Sequence, residues 1–133
     1  MGALIDSSVL IASQRGDLDL DTKLVDYTET DLAVAAITAS ELLHGVHRAD
    51  DEARRSLREA WVEGLLSRMP VIPFDLLAAR AHARLSARSR SKGLTVGAHD
   101  LLIAATALAR GLEVITRDER SFPHIPGLEV VLW

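Results

Sequence analysis

The feature that most narrows the possible fold is an alternation along the chain. Short apolar runs with β character are separated by longer stretches whose apolar residues recur every three or four positions. The runs are Ala3-Leu4-Ile5, Leu32-Ala33-Val34-Ala35-Ala36, Val71-Ile72-Pro73-Phe74, Glu113-Val114-Ile115-Thr116 and Glu129-Val130-Val131-Leu132. A strand that is apolar along its length needs cover on both faces, and helices inserted between such strands supply it. The expectation is α/β: one three-layer α/β/α domain with a mostly parallel central sheet of about five strands. Pro73 places the third run at a sheet edge, because proline cannot donate to an inner ladder.

The helical stretches carry their own start and stop signals. Ser7 and Ser8 are suitable N-caps for a helix through Leu10 and Ile11. Thr38-Ala39-Ser40-Glu41 has the form of a capping box and opens a helix expected to break near Gly45. Residues 50–68 read as a helix with Ala53, Leu57, Ala60, Trp61, Gly64 and Leu65 on its inner face. Asp75 caps the next helix, which runs to about Ser89 and is followed by the polar break Ser89-Arg90-Ser91-Lys92-Gly93. The last helix, Gly97 to Arg110, turns Leu101, Leu102, Ala105, Leu108 and Ala109 inward, and Gly111 ends it in a left-handed cap. With no repeat and no linker, residues 1–133 read as a single domain.

Composition removes several function classes. Aromatic residues make up 4% of the chain against 48% apolar residues in all, so the core is aliphatic. The absence of cysteine excludes disulfides, thiolate zinc sites and thiol catalysis. No window approaches the roughly 18 uninterrupted apolar residues of a membrane span. Met1-Gly2 leads directly into Ala3-Leu4-Ile5-Asp6 without a basic region or cleavage site, so no signal peptide is expected, and together with the composition a cytoplasmic location is expected. A net charge of -4 argues against coating nucleic acid by bulk electrostatics. It is compatible with an enzyme that combines an acidic centre with a local basic strip.

Four acids fit such a centre. In open parallel sheets, functional groups gather beyond the carboxyl ends of the strands. Asp6 directly follows the first strand, and Asp118 lies just past Thr116 at the end of the fourth. Glu41 and Asp100 stand in the first turns of helices on the same edge. Each has an ordinary structural role when taken alone. Glu41 would complete a capping box, Asp6 and Asp118 would be turn residues, and Asp100 would gain roughly 0.3–1 kcal/mol from the helix dipole. Together they would repel strongly unless divalent cations compensated them. Mg²⁺ or Mn²⁺, hard ions that prefer carboxylate oxygen, suit an acid set without cysteine or repeated histidine. Such a cluster can hold one or two metals for phosphodiester chemistry.

The segments around these acids carry a family likeness. Leu4-Ile5-Asp6-Ser7-Ser8-Val9-Leu10-Ile11, Ile37-Thr38-Ala39-Ser40-Glu41-Leu42-Leu43-His44-Gly45, His99-Asp100-Leu101-Leu102-Ile103-Ala104-Ala105 and Val114-Ile115-Thr116-Arg117-Asp118 resemble the four signature segments of PIN-domain nucleases. The closest resemblance is to VapC-type toxins, in the same order and nearly end to end, including the Phe122 loop and Ile125-Pro126-Gly127-Leu128. The resemblance implies that Asp6, Glu41 and Asp100 are metal-binding acids, that Asp118 is a more variable fourth, and that Thr116 supplies a hydroxyl near the metal. It further implies a Mg²⁺-dependent endoribonuclease acting on transfer or ribosomal RNA, a homodimer, and a cognate antitoxin of the VapB kind that wraps the toxin and blocks the acidic pocket. On that reading Asp6, Asp100 and Asp118 hold the ion, while Glu41 ligates it or orients the attacking water.

Other features keep two readings. Arg80, Arg84 and Arg88 form a basic stripe at four-residue spacing, with Arg90 and Lys92 beyond it, which either guides the RNA backbone or is a solvated helix face. Arg54, Arg55 and Arg58 lie among Asp50, Asp51, Glu52 and Glu59, so intrahelical pairing accounts for them. His44 and His47 lack the Glu and third ligand of a zinc hydrolase and read as surface histidines, and His99 reads as a residue of the site's rim. Trp61 reads as core, whereas Trp133 stays open between core and partner anchor. A PIN nuclease of RNA maturation or DNA repair without an antitoxin, and a catalytically inactive PIN-fold binding module, are the competing functions. A phosphatase or receiver domain fits less well, since Ser8 stands where a second Asp would be needed and Lys23 and Lys92 are the only lysines.

Overall fold

A computed structural model describes residues 2–133; Met1, where the expected domain begins, lies outside them. Five strands, β1 (Gly2–Ile5), β2 (Asp31–Ala35), β3 (Val71–Ile72), β4 (Glu113–Thr116) and β5 (Val130–Leu132), form one sheet in the order β3-β2-β1-β4-β5. Every pairing is parallel. The expected α/β architecture is therefore present, with the proline-flanked third run at an edge. That run is only two residues long, because Pro73 lacks the N–H needed to extend it.

The helices are α1 (Ser7–Gln14), α2 (Leu20–Leu24), α3 (Ala36–His47), α4 (Glu52–Arg68), α5 (Leu76–Ser91) and α6 (Ala98–Arg110), with 3₁₀ turns at Val25–Tyr27 and Phe122–His124. Alternation along β1 divides the core into two. Ala3 and Ile5 face a cluster with Val9, Leu10, Leu42, Val46, Val62 and Leu65 from α1, α3 and α4. Leu4 faces the opposite cluster, with Leu85, Ile103, Ala104 and Ala107 from α5 and α6 and with Phe122 and Ile125. Those are the three layers. Helix α5 packs extensively along α6. Asp75 accepts from the Ala78 amide at 3.0 Å, as the expected cap, and from Arg110 at 2.8 Å, tying the start of α5 to the end of α6.

Several expectations need correction. Helix α3 does not break at Gly45 but continues to His47. A single glycine costs a helix only about 1 kcal/mol, and Leu42 and Val46, both buried, anchor the turns around it. The α3 start is also two residues earlier than Thr38, so Ala36 belongs to the helix and not to the strand. Along α4, Leu65 is buried and Trp61 packs against the core, but Ala53, Leu57 and Ala60 face solvent, with Leu57 75% exposed. The buried residues of that helix are Val62 and Leu65. In α6 Ala105 is buried and Leu101 and Leu108 pack against the core as expected, whereas Leu102 and Ala109 are only partly buried. Ile103, Ala104, Thr106 and Ala107 are buried as well, because this helix lies against both sheet and α5. Gly111, at φ 65°, is the left-handed cap expected. Trp133 stacks edge-on against Tyr27 with centroids 5.4 Å apart, which resolves its reading in favour of packing.

Candidate active site

The strand order creates the site. From β1 the chain builds outward to β2 and β3 on one side and to β4 and β5 on the other. Adjacent loops leave in opposite directions at such a switch point, which opens a crevice beyond the carboxyl ends of β1 and β4. Asp6 stands there, 4% exposed, with its amide donating to the Ile115 carbonyl of β4 at 2.9 Å. The hydroxyls of Ser8 and Thr116 both donate to Asp6 Oδ2, at 2.7 and 2.8 Å. In turn Ser8 Oγ accepts from the Arg117 amide at 3.1 Å and Thr116 Oγ1 from the Asp118 amide at 2.9 Å. Each hydroxyl has one proton and spends it on Asp6, so their 3.3 Å approach to each other is a contact and not a further bond. Both bonds fall on Oδ2, which leaves Oδ1 unclaimed by either hydroxyl.

Ser8 is thus a site residue that sequence reasoning missed, having assigned it to helix capping. Asp6 itself occupies the N-cap of α1, with no side-chain capping bond. The expected Thr38–Glu41 capping box is likewise not formed. Because α3 starts at Ala36, Thr38 lies inside the first turn with its hydroxyl buried and unpartnered. Glu41 turns instead toward Ser7, whose Oγ donates to Oε2 at 3.2 Å, and toward His99 Nδ1 at 3.7 Å. Its Oε1 is buried without a hydrogen-bond partner. Asp118 does form the turn expected of it, Oδ1 accepting from the amides of Arg120 at 2.7 Å and Ser121 at 3.3 Å. His99, 58% exposed, sits at the rim.

Electrostatics bind the four acids into one group. Asp100, in the first turn of α6, has its pKa pushed up from 3.8 to about 6. Burial is the largest cause, followed by the charge of Asp6, and Asp118 and Glu41 add to it against an opposing hydrogen bond with Ser121. The folded protein therefore holds this proton more tightly than the unfolded chain. Stability should fall as pH rises from about 4 to about 6, and the full cost is present above that window. Asp100→Asn removes the cost. In EDTA it is expected to stabilise the fold by about 1–2 kcal/mol at pH 8, after discounting for partial exposure, and by almost nothing at pH 4. Urea unfolding at the two pH values checks this; an equal gain at both would show that Asp100 is not under charge stress.

Hard carboxylate oxygens are the donors Mg²⁺ and Mn²⁺ select. Among the described residues, no three acidic or histidine side chains stand together as a ready ligand set. Two of the acids are turned to other partners: Asp6 Oδ2 to two hydroxyls and Asp118 Oδ1 to two amides. The donor chemistry nevertheless fits a divalent ion. Glu41 Oε1 lacks a partner, and burial together with the neighbouring carboxylates raises the pKa of Asp100. The basic stripe lies elsewhere than the groove that holds Glu41: Arg84 and Arg88 line a separate cleft with Ala81, Leu85, Leu108 and Pro126.

Residues 3–128 match the PIN domain family model. The chain belongs to the PIN domain family. Within it, the chain is of the VapC type: it is 34% identical over 131 residues to ribonuclease VapC1 of Rickettsia felis, covering 98% of this chain and 96% of that protein. It is 35% identical over 102 residues to the tRNA(fMet)-specific endonuclease VapC of Salmonella typhimurium, 77% of this chain and 75% of that one. The fold superposes with a TM-score of 0.89 on the DNA-bound VapBC structure from Salmonella typhimurium, at 29% identity and with 100% and 98% of the two chains covered. No helix among the described residues is long and apolar enough to cross a membrane.

Proposed function

We propose that this VapC-type chain is a divalent-metal-dependent endoribonuclease and the toxin of a toxin–antitoxin pair. The observation that carries the chemistry is the half-buried Asp100, whose pKa is raised by burial first and then by the charges of Asp6, Asp118 and Glu41 around it. Asp6, Asp100 and Asp118 would hold the ion, with Glu41 beside them. A bound Mg²⁺ or Mn²⁺ would supply positive charge for the phosphate oxygens and for the leaving ribose oxygen. The Ser8 and Thr116 hydroxyls hold Asp6 through Oδ2 and leave Oδ1 free of either bond. Glu41 Oε1, a buried acceptor without a donor, suits the water that attacks phosphorus. A new P–O bond forms from that water as the opposite ester bond breaks; Glu41 receives the proton that the water sheds, and the departing ribose oxygen takes one from solvent.

The names of its relatives support RNA as substrate: ribonuclease VapC1, and an endonuclease specific for tRNA(fMet). Transfer RNA is accordingly the first substrate class to test. An antitoxin of the VapB kind is supported by the similar structures of VapBC from Salmonella typhimurium and Rickettsia felis. A homodimer is also part of the proposal, and Phe74, Leu76 and Leu77 near the β3 edge are exposed apolar residues suited to one.

Purified protein incubated with total bacterial RNA should yield discrete products with Mg²⁺ or Mn²⁺ and none with EDTA. Cutting that survives EDTA would remove the metal from the reaction, and intact RNA under every condition would remove the ribonuclease. Expression should arrest growth; unimpeded growth with an active enzyme would favour a nuclease of RNA maturation or repair.

A further inference from the structure

A polyanion must be brought to an acidic centre on a chain whose net charge is -4. Some local surface has to offset that repulsion, and it must adjoin the acids. One groove meets the requirement. It has a volume of about 760 Å³, lies between α1, α3 and α4, and holds Glu41 and His99 among its lining. The same groove contains Arg15, Arg48, Arg54 and Arg58, against the acids Glu41 and Asp50. Arg54 is paired with Asp51 at 3.6 Å, and Arg58 donates to the Gly45 carbonyl at 2.8 Å. Arg15 and Arg48 are exposed and make no ion pair or side-chain hydrogen bond among the described residues.

The placement follows from helix periodicity. Glu41, His44, Gly45 and Arg48 form one stripe on α3, so Arg48 stands roughly 10 Å along the helix from the acid. Gly45 leaves the groove floor without a side chain between them; a Cβ there would come within 3.9 Å of Arg58. On the facing helix, Arg54, Leu57, Arg58 and Trp61 repeat the spacing.

We propose that this groove is the track of the RNA strand next to the scissile bond, with Arg15 and Arg48 holding flanking phosphates. The inference rests on the ribonuclease reading and deepens it. Arg15 and Arg48 are positioning residues: they act on phosphates beside the reacting one, by charge and by the bidentate reach of guanidinium. A peptide inhibitor could also occupy the groove, since Leu57 and Trp61 line it. RNA is favoured because its phosphates need cations against the four acids, whereas a peptide has no such need.

Both arginines end helices, α1 and α3, where a cation also complements the dipole. The test therefore uses Arg15→Gln with Arg48→Gln beside the charge reversals Arg15→Glu with Arg48→Glu, each checked by thermal melting. Binding of a fluorescein-labelled single-stranded RNA oligonucleotide is measured against salt, and cleavage of the same RNA gives kcat and KM. The Gln pair should weaken binding and raise KM by about tenfold with kcat nearly kept, and should flatten the log–log salt slope by roughly 1.4, as expected for two lost single-strand phosphate contacts. The Glu pair should do more. Wild-type KM and salt slope in both pairs would overturn the track, as would their loss in Arg80→Gln with Arg84→Gln instead. RNA binding retained alongside lost growth rescue by the antitoxin would give the groove to a peptide. A wild-type protein that neither binds nor cuts RNA would overturn the ribonuclease reading itself, and the track with it.

Discussion

Asp6→Asn is expected to lower RNA cleavage by on the order of 10²–10³ or more, the scale on which a single charge-stabilising group acts in an active site. The geometry explains why so small a change should have so large an effect. Asn can present its carbonyl oxygen to the Ser8 and Thr116 hydroxyls, at the place of the oxygen that accepts from them at 2.7 and 2.8 Å. Its amide nitrogen then occupies the position of Oδ1, and a negative acceptor becomes a donor that a cation avoids. Folding should be unaffected or slightly improved, since one charge leaves a crowded group. Thr116→Val should be milder, a loss of roughly 10–100-fold, because it only loosens the hold on Asp6. Cleavage rates with thermal melts of both variants provide the check. Wild-type cutting by Asp6→Asn would remove this residue from the mechanism.

Phe122→Ala should have the largest effect on stability, about 3–5 kcal/mol. Phe122 is fully buried and packs in the cluster of Leu4, Ile103, Val114 and Ile125. A domain of this kind has only about 5–15 kcal/mol to lose, so the variant should unfold well below the wild-type temperature. The change should also reach the site. Asp118 and Ser121 stand on the same short loop, held by the bond from the Ser121 amide to Asp118 Oδ1. With the anchor removed, amide exchange from Asp118 to Ile125 should accelerate beyond what the global loss explains. Phe122→Leu, which refills most of the space, should recover the larger part of both effects. A cost under about 1 kcal/mol would show that the loop is held by something other than this ring.

Much of the site was legible because its signals are local. A carboxylate directly after a buried strand, or in the first turn of a helix behind one, can be read from a few adjacent residues, as with Asp6 and Asp100. The hydroxyls that orient Asp6 were not legible in the same way. Ser8 looked like a cap because serine before an apolar helical run usually is one. Only the pairing of β1 with β4 brings Thr116 and the Arg117 amide to it. Glu41 fitted a capping box until the helix began two residues early, since tertiary packing outweighs a cap of about 1 kcal/mol. The arginines show the same contrast between local and tertiary signals. Arg80, Arg84 and Arg88 are conspicuous in sequence, whereas Arg15 and Arg48 come from separate helices and meet only across the groove.

Periodicity and punctuation along the chain determined the fold class, the edge position of β3, the caps at Asp75 and Gly111, and the choice of the four acids proposed for the site. These depend on side-chain spacing and on φ limits that each residue carries with it. Strand order, the crevice between β1 and β4, the exposure of Leu57 and the shared proton affinity of Asp100 were decided by tertiary structure. Charge repulsion depends on distance through space, and only the folded sheet brings positions 6, 41, 100 and 118 within reach of one another.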